Sequence, residues 1–279
     1  MIYLLLAIAS SACVSIFMRL SEAHIKNEMA MFMANYGVCA VLSGALMQSA
    51  LKVTMSSGTA SILIVCVITG LLYLGSFMLL KYNMKHNGIV LSSTFMKLGV
   101  LFPTLMAVIV FGEMPKGIQV LGIILAITAI FVIQFEKESI KEGKKKLWLL
   151  LILLGSGMAD AMANIYEQVG QPEGKDGYLL VTFATALLVT VGINLKGRHP
   201  IGKADILFGM LIGIPNYFSA RFLLLALGSV DAVIAYPVYS VATLITITVV
   251  GLLCFHEKLS RKKAIALAMI VAALCLLNL

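Results

Sequence analysis

The 279-residue chain is 61% hydrophobic and only 12% charged, with a formal net charge of +8 and a mean hydropathy of +1.01. A soluble domain cannot dress its surface from that supply, so soluble enzymes and soluble regulators are excluded. The basic excess lies at the ends of apolar runs rather than on one polar face. That removes a nucleic-acid partner and leaves a report of orientation in a bilayer.

Apolar runs of about 17 to 25 residues recur along the chain, the length a helix needs to cross a hydrocarbon layer about 30 Å thick. In lipid the backbone must satisfy itself within the segment, so each run predicts a helix. Ten spans follow, near 2–20, 29–50, 60–81, 88–112, 116–135, 147–167, 178–195, 204–226, 231–255 and 263–279. The first has no basic stretch before it and no small-residue cleavage site after it, and reads as a retained span. The charged stretch from Glu136 to Lys146 divides the ten five and five. The expected organisation is a first five-helix repeat at 1–135, a basic cytoplasmic linker at 136–146 and a second five-helix repeat at 147–279.

An offset of 144 sets Phe111-Gly112-Glu113 on Phe255-His256-Glu257, and an offset of 145 pairs Ser11 with Ser156, Ser15 with Asp160, Arg19 with Asn164 and Glu22 with Glu167. A repeat with an odd number of spans lies upside down relative to its partner, the inverted arrangement of many secondary transporters. On alternate sides of the ten spans, sixteen Lys and Arg fall on one face and only Lys52, Lys116 and Lys175 on the other, with Lys97 and Arg221 inside spans. The basic side is expected to be cytoplasmic, which puts both termini outside a cell membrane.

The layout resembles the EamA-type, ten-helix branch of the drug/metabolite transporter superfamily. The resemblance rests on the five-plus-five pattern and on Gly88 to Ile130, where a long span with Pro103 ends in Phe-Gly-Glu113 and runs into a span carrying Gly117 and Gly122. The second copy keeps His256-Glu257 but has Ile247 where the matching proline would fall, and its Pro237 lies ten residues earlier. The resemblance implies a small-molecule substrate carried by alternating access through a central cavity, with amino acids, sugars, nucleotide sugars, drugs and cations within the family's range.

A charge near the bilayer centre costs about 2.5 to 3.5 kcal/mol on insertion scales, so it needs a partner or a water-filled cavity. Lys97 in the fourth span and Asp160 in the sixth stand in that position. They are candidates for substrate binding, against the alternative of an ion pair that only clips the halves together. Ser93, Lys97 and Thr104 share a helical face, as do Ser156, Asp160, Asn164 and Glu167. Asn216, Arg221, Tyr236, Tyr239, Asn35 and Tyr73 complete the candidate substrate-binding set; Tyr236 and Tyr239 also fit interfacial anchoring, and Arg221 also fits snorkelling to the interface. Glu22 and Glu167 are candidate gates, Asp160 a candidate proton carrier, and Glu113 and Glu257 read as structural helix-end residues.

The five cysteines, Cys13, Cys39, Cys66, Cys254 and Cys275, read as small buried hydrophobes, and their spacing fits neither a disulfide framework nor a metal site. No cofactor and no metal are expected. An amino acid or related zwitterion is the first expectation for the substrate, with proton or counter-substrate coupling open. A flippase for a lipid or lipid-linked headgroup is the alternative within the same fold. An intramembrane enzyme is disfavoured because the four histidines sit near span ends or in loops and no HExxH or GxSxG occurs. A channel is disfavoured by the lack of a filter-like repeat.

Overall fold

The computed structural model describes residues 1–47, 59–87, 89–134, 143–170, 174–197, 200–254 and six positions between 265 and 276. Among these there are helices and no strand. They are α1 (Ile2–Ser21), α2 (Glu28–Leu46), α3 (Thr59–Asn87), α4 (Ile89–Leu98), α5 (Leu101–Ile109), α6 (Gly117–Gln134), α7 (Gly143–Val169), α8 (Lys175–Gly197), α9 (Lys203–Leu227) and α10 (Ala232–Cys254). Ile2–Ser21, Glu28–Leu46, Ile62–Asn83, Leu147–Val169, Lys175–Gly197 and Lys203–Leu227 are long and apolar enough to cross a membrane. The predicted tenth span, the linker residues 136–142 and His256-Glu257 lie wholly or mostly outside the described residues.

The predicted fourth span is not one helix. It breaks between α4 and α5, where Gly99 and Val100 bond backward over three residues, to Met96 and Lys97. Pro103 has no N–H to give the Gly99 carbonyl four residues earlier, so the α-helical ladder cannot pass through this point. Gly99 matters for a second reason. A methyl group there would stand 2.7 Å from the Gly157 nitrogen, and one on Gly157 would stand 2.5 Å from the Gly99 oxygen. Two glycines thus let the break touch the backbone of α7.

The chain forms two compact units, and each draws on both halves of the sequence. Residues 1–71 with 165–229 make the first, and 72–164 with 230–279 make the second.

In the first unit α2 packs on α8 and α9, and α1 packs on α9. Gly209 and Gly213, four apart on α9, face α2 so closely that a methyl on Gly209 would lie 2.6 Å from the Ala34 β-carbon and one on Gly213 2.7 Å from the Asn35 oxygen. Lipid is as apolar as leucine, so dispersion and interhelical hydrogen bonds must hold such a seam. Both are present: Asn216 donates to Asn35 at 3.2 Å, and the Cys39 thiol donates to the Gly213 carbonyl at 3.3 Å. At its end Asp205 accepts from the backbone N–H groups of Gly202, Lys26 and Asn27, tying the α1–α2 connection to the start of α9. Asn27 in turn caps α2 by accepting from Ala30 at 3.1 Å.

In the second unit α10 packs on α5 and α6, and α4 on α6. Leu98, Val241, Leu244 and Ala273 form its buried apolar cluster. The α3–α7 pair is antiparallel, since Asn83 donates to the Trp148 carbonyl while Ser76 lies against Gly155.

Gly213→Val should be poorly tolerated, because its branched side chain must displace α2 backbone. Overpacking of this kind costs about 1–3 kcal/mol, so a lower unfolding temperature of the detergent-solubilised protein is expected, while Gly192→Ala, with open space around it, should unfold like wild type.

Candidate functional site

Lys97 occupies the last turn of α4, where the exposed carbonyl ends of the helix favour a cation. Its ammonium stands 4.8 Å from the centroid of the Tyr239 ring on α10. Such a cation–π contact contributes about 0.5–1 kcal/mol when exposed and about 2 when desolvated. Asp160, half-buried on α7, lies close enough for the charge of Lys97 to act on its carboxylate. Three residues before Tyr239, the fully buried Tyr236 donates its hydroxyl to the main-chain oxygen of Asp160 at 2.7 Å. Ser156, one turn before Asp160, donates to the Met96 carbonyl at 2.9 Å, joining α7 to the end of α4.

One turn beyond Asp160, Asn164 is buried to 1% exposure, and neither its amide nitrogen nor its amide oxygen has a hydrogen-bond partner among the described residues. An unpaired amide is expensive inside a protein, so its burial here is a feature that packing alone does not explain.

Lys97, Asp160, Asn164, Tyr236 and Tyr239 are therefore gathered in the second unit, along with a half-buried Tyr73 on α3. Ser93 sits on α4 one turn before Lys97, but its side chain lies outside the described residues. The remaining candidates belong to the first unit and have other engagements there. Asn35 and Asn216 bond to each other across the α2–α9 seam. Arg221 makes two hydrogen bonds to Asp176, at 2.7 and 3.2 Å, so its partner is a carboxylate at the start of α8. Glu167 is paired with Lys175 at 2.7 Å, and that ammonium also reaches the Leu224 carbonyl near the end of α9. Gly228 leaves room for the pair, since a methyl there would lie 2.9 Å from the Lys175 nitrogen. Glu22 is exposed just past α1. Of the cysteines, Cys39 and Cys66 are buried as expected, whereas Cys13 is exposed on an apolar face of α1.

Glu113 has a specific job. Its carboxylate accepts from the Val233 N–H at 2.9 Å, on the second residue of α10, where helical N–H groups have no partner of their own. Gly112, at φ +68°, turns the chain out of α5 so that the next residue can reach there. Glu113, expected to be a structural helix-end residue, lies just past α5, and nothing in the sequence signals that its carboxylate also serves the start of α10. Gly99 was also missed, although a glycine four residues before a proline inside a span is a readable sign of a break.

Residues 176–270 match the family model described as Small Multidrug Resistance protein, which belongs to the drug/metabolite transporter superfamily. The chain is 45% identical over 99 residues to the uncharacterized membrane protein YvaE of Bacillus subtilis (strain 168), an alignment that spans 36% of this chain and 83% of YvaE. It is 23% identical over 198 residues to an uncharacterized protein of Haemophilus influenzae, spanning 69% of this chain and 67% of that one. A protein of solved crystal structure superposes with a TM-score of 0.74, covering 99% of this chain and 94% of its own at 14% identity. That last likeness concerns the fold alone.

Glu113→Ala should cost about 1 kcal/mol, the usual loss when a helix N-terminus is left without its side-chain acceptor. Glu113→Gln keeps an acceptor oxygen and should recover most of it in the same thermal unfolding measurement.

Proposed function

The chain belongs to the membrane-protein family of YvaE, and from that premise, together with its Small Multidrug Resistance match, we propose a secondary carrier that moves a small polar metabolite across the cell membrane by alternating access. The observation that carries the reading is one acid and one base at membrane depth, Asp160 and Lys97, drawn from opposite halves of the sequence and acting on each other within one unit. A structural clip needs only the pair. The unpaired amide of Asn164 one turn away adds a donor and an acceptor that a clip does not use.

Opposite charges suit a substrate that bears both a carboxylate and an amine, an amino acid or related zwitterion, with Lys97 facing the anion and Asp160 the cation. Without substrate the two charges keep each other from standing alone in a low-dielectric site. Substrate entry separates them and links binding to movement. Asp160, an ionisable group at membrane depth, is the residue we propose to carry a coupling proton. Glu167 and Glu22 are proposed as gates at opposite mouths; the Glu167–Lys175 pair is the kind of contact that closes one. Within the superfamily we place the chain in the EamA-like, ten-helix inverted-repeat branch, with repeats at 1–135 and 147–279. The reading is of a carrier rather than an enzyme.

Two experiments test this. A thermal-shift screen of amino acids on the purified protein should find compounds that raise the unfolding temperature, because whatever binds only the folded state stabilises it. Lys97→Met, Asp160→Asn and the double variant are then compared for that shift and for uptake of the same compound into proteoliposomes. Binding predicts loss of uptake in all three, including a well-folded double variant. A structural clip predicts unstable single variants and a neutral double variant that recovers both stability and transport.

Orientation is tested separately in a cysteine-less background. Single cysteines at Ser57 and Gly174 should react with an impermeant maleimide in intact cells, and those at Gly143 and Gly197 should not. The opposite pattern would reverse the topology and leave the spans in place.

A further inference from the structure

The two tyrosines of α10 use different chemistry on the two charges. Tyr236 is 0% exposed, and its hydroxyl is given to the main-chain oxygen of Asp160 rather than to the carboxylate. Tyr239 is half-buried and offers the face of its ring to the Lys97 ammonium. A residue that binds substrate presents its polar atom to the ligand. Tyr236 has committed that atom to the backbone of α7, and a carbonyl oxygen inside a helix has a second lone pair with which to receive it.

We propose that Tyr236 is a positioning residue that sets where the Asp160 carboxylate stands relative to Lys97, and that the ring of Tyr239 does the same for the Lys97 ammonium. This rests on the reading of Lys97 and Asp160 as the substrate-binding pair. Three residues apart, the two rings share one face of α10, so the segment Tyr236-Pro237-Val238-Tyr239 grips both α7, at the Asp160 main chain, and the end of α4, at Lys97. The segment is itself fixed a turn earlier, where Glu113 holds the Val233 N–H. On its other side α7 is joined to the end of α4 by the Ser156 bond to Met96.

The two grips differ in kind: Asp160 is held through its main-chain oxygen, and Lys97 meets the face of a ring. Pro237 lies between the tyrosines and gives the Val233 carbonyl no amide partner. The segment therefore carries a weak point in its own helix, where a change in α10 would move both tyrosines and hence both charges.

Carbodiimide labelling of the full-length protein in liposomes reads this without a known substrate. N,N′-dicyclohexylcarbodiimide consumes a membrane carboxyl in its protonated form, the form that a neighbouring ammonium disfavours. The rate is followed by mass spectrometry of the Asp160 peptide. Lys97→Met should raise it several-fold. Tyr236→Phe keeps the ring and its packing, and should raise the rate toward that of Lys97→Met while the unfolding temperature stays near wild type. In the Lys97→Met background it should add nothing further. Tyr239→Phe should label like wild type and Tyr239→Leu faster, which supplies the same answer from the other charge if Tyr236→Phe does not fold. Tyr236→Phe labelling at the wild-type rate while Lys97→Met labels faster would overturn the positioning role and leave the pair intact. No response to Lys97→Met would overturn the pair, and the positioning role with it.

Discussion

A polar group inside a bilayer must find its partner within the protein, and this constraint organises nearly everything seen in both units. Backbone groups meet it by forming helices. Where the backbone cannot, at the Gly99–Val100 break, three-residue bonds take over part of the load and the Ser156 hydroxyl reaches across to the Met96 carbonyl. At the start of α10 the free N–H of Val233 is taken by Glu113, and at the start of α9 Asp205 collects three backbone N–H groups from two segments. These carboxylates stabilise because each sits at a positive helix end.

The same constraint explains the placement of small residues. A side chain can bond to a neighbouring backbone only if the helices come close, and glycine permits that. Gly209 and Gly213 let α9 approach α2, and within that seam lie the Asn35–Asn216 and Cys39–Gly213 bonds. Gly99 and Gly157 let α4 and α7 touch where Ser156 reaches Met96. Close approach and hydrogen bonding are one event in each case, which is why substituting the glycine strikes both.

What the sequence made legible was what its periodicity carries. Length and hydropathy located most of the described helices within a few residues of their observed bounds, because crossing lipid demands long apolar helices, but they did not reveal that the predicted fourth span divides into α4 and α5. Same-face spacing grouped Ser156, Asp160, Asn164 and Glu167, a relation local to one helix, and all four lie on α7. Periodicity says nothing about which helix lies opposite. Arg221 looked available for a ligand because its partner, Asp176, is 45 positions away in the chain. Asn35 and Asn216 looked like separate binding groups because nothing in either neighbourhood announces the other. Tyr236 looked like a ligand contact for the same reason, and only the position of Asp160 reveals where its hydroxyl goes. The interleaving of the two units was hidden likewise, for each is assembled from segments of both sequence halves.

A contrast within the polar groups separates holding from handling. At the α2–α9 seam and the helix starts, the bonds named above each join or finish a helix, although the Asn35 amide nitrogen has no partner among the described residues. At α7 the pattern changes. Asp160 is held by its main chain while its carboxylate is left to interact with a charge, and Asn164, nearly as buried as any residue in the protein, bonds to nothing among the described residues. Packing alone would favour an apolar side chain at that position, as an unpaired buried amide costs about 1–3 kcal/mol. That cost is kept one turn from an acid on which a base acts, and the substrate site proposed for Lys97, Asp160 and Asn164 rests on this coincidence.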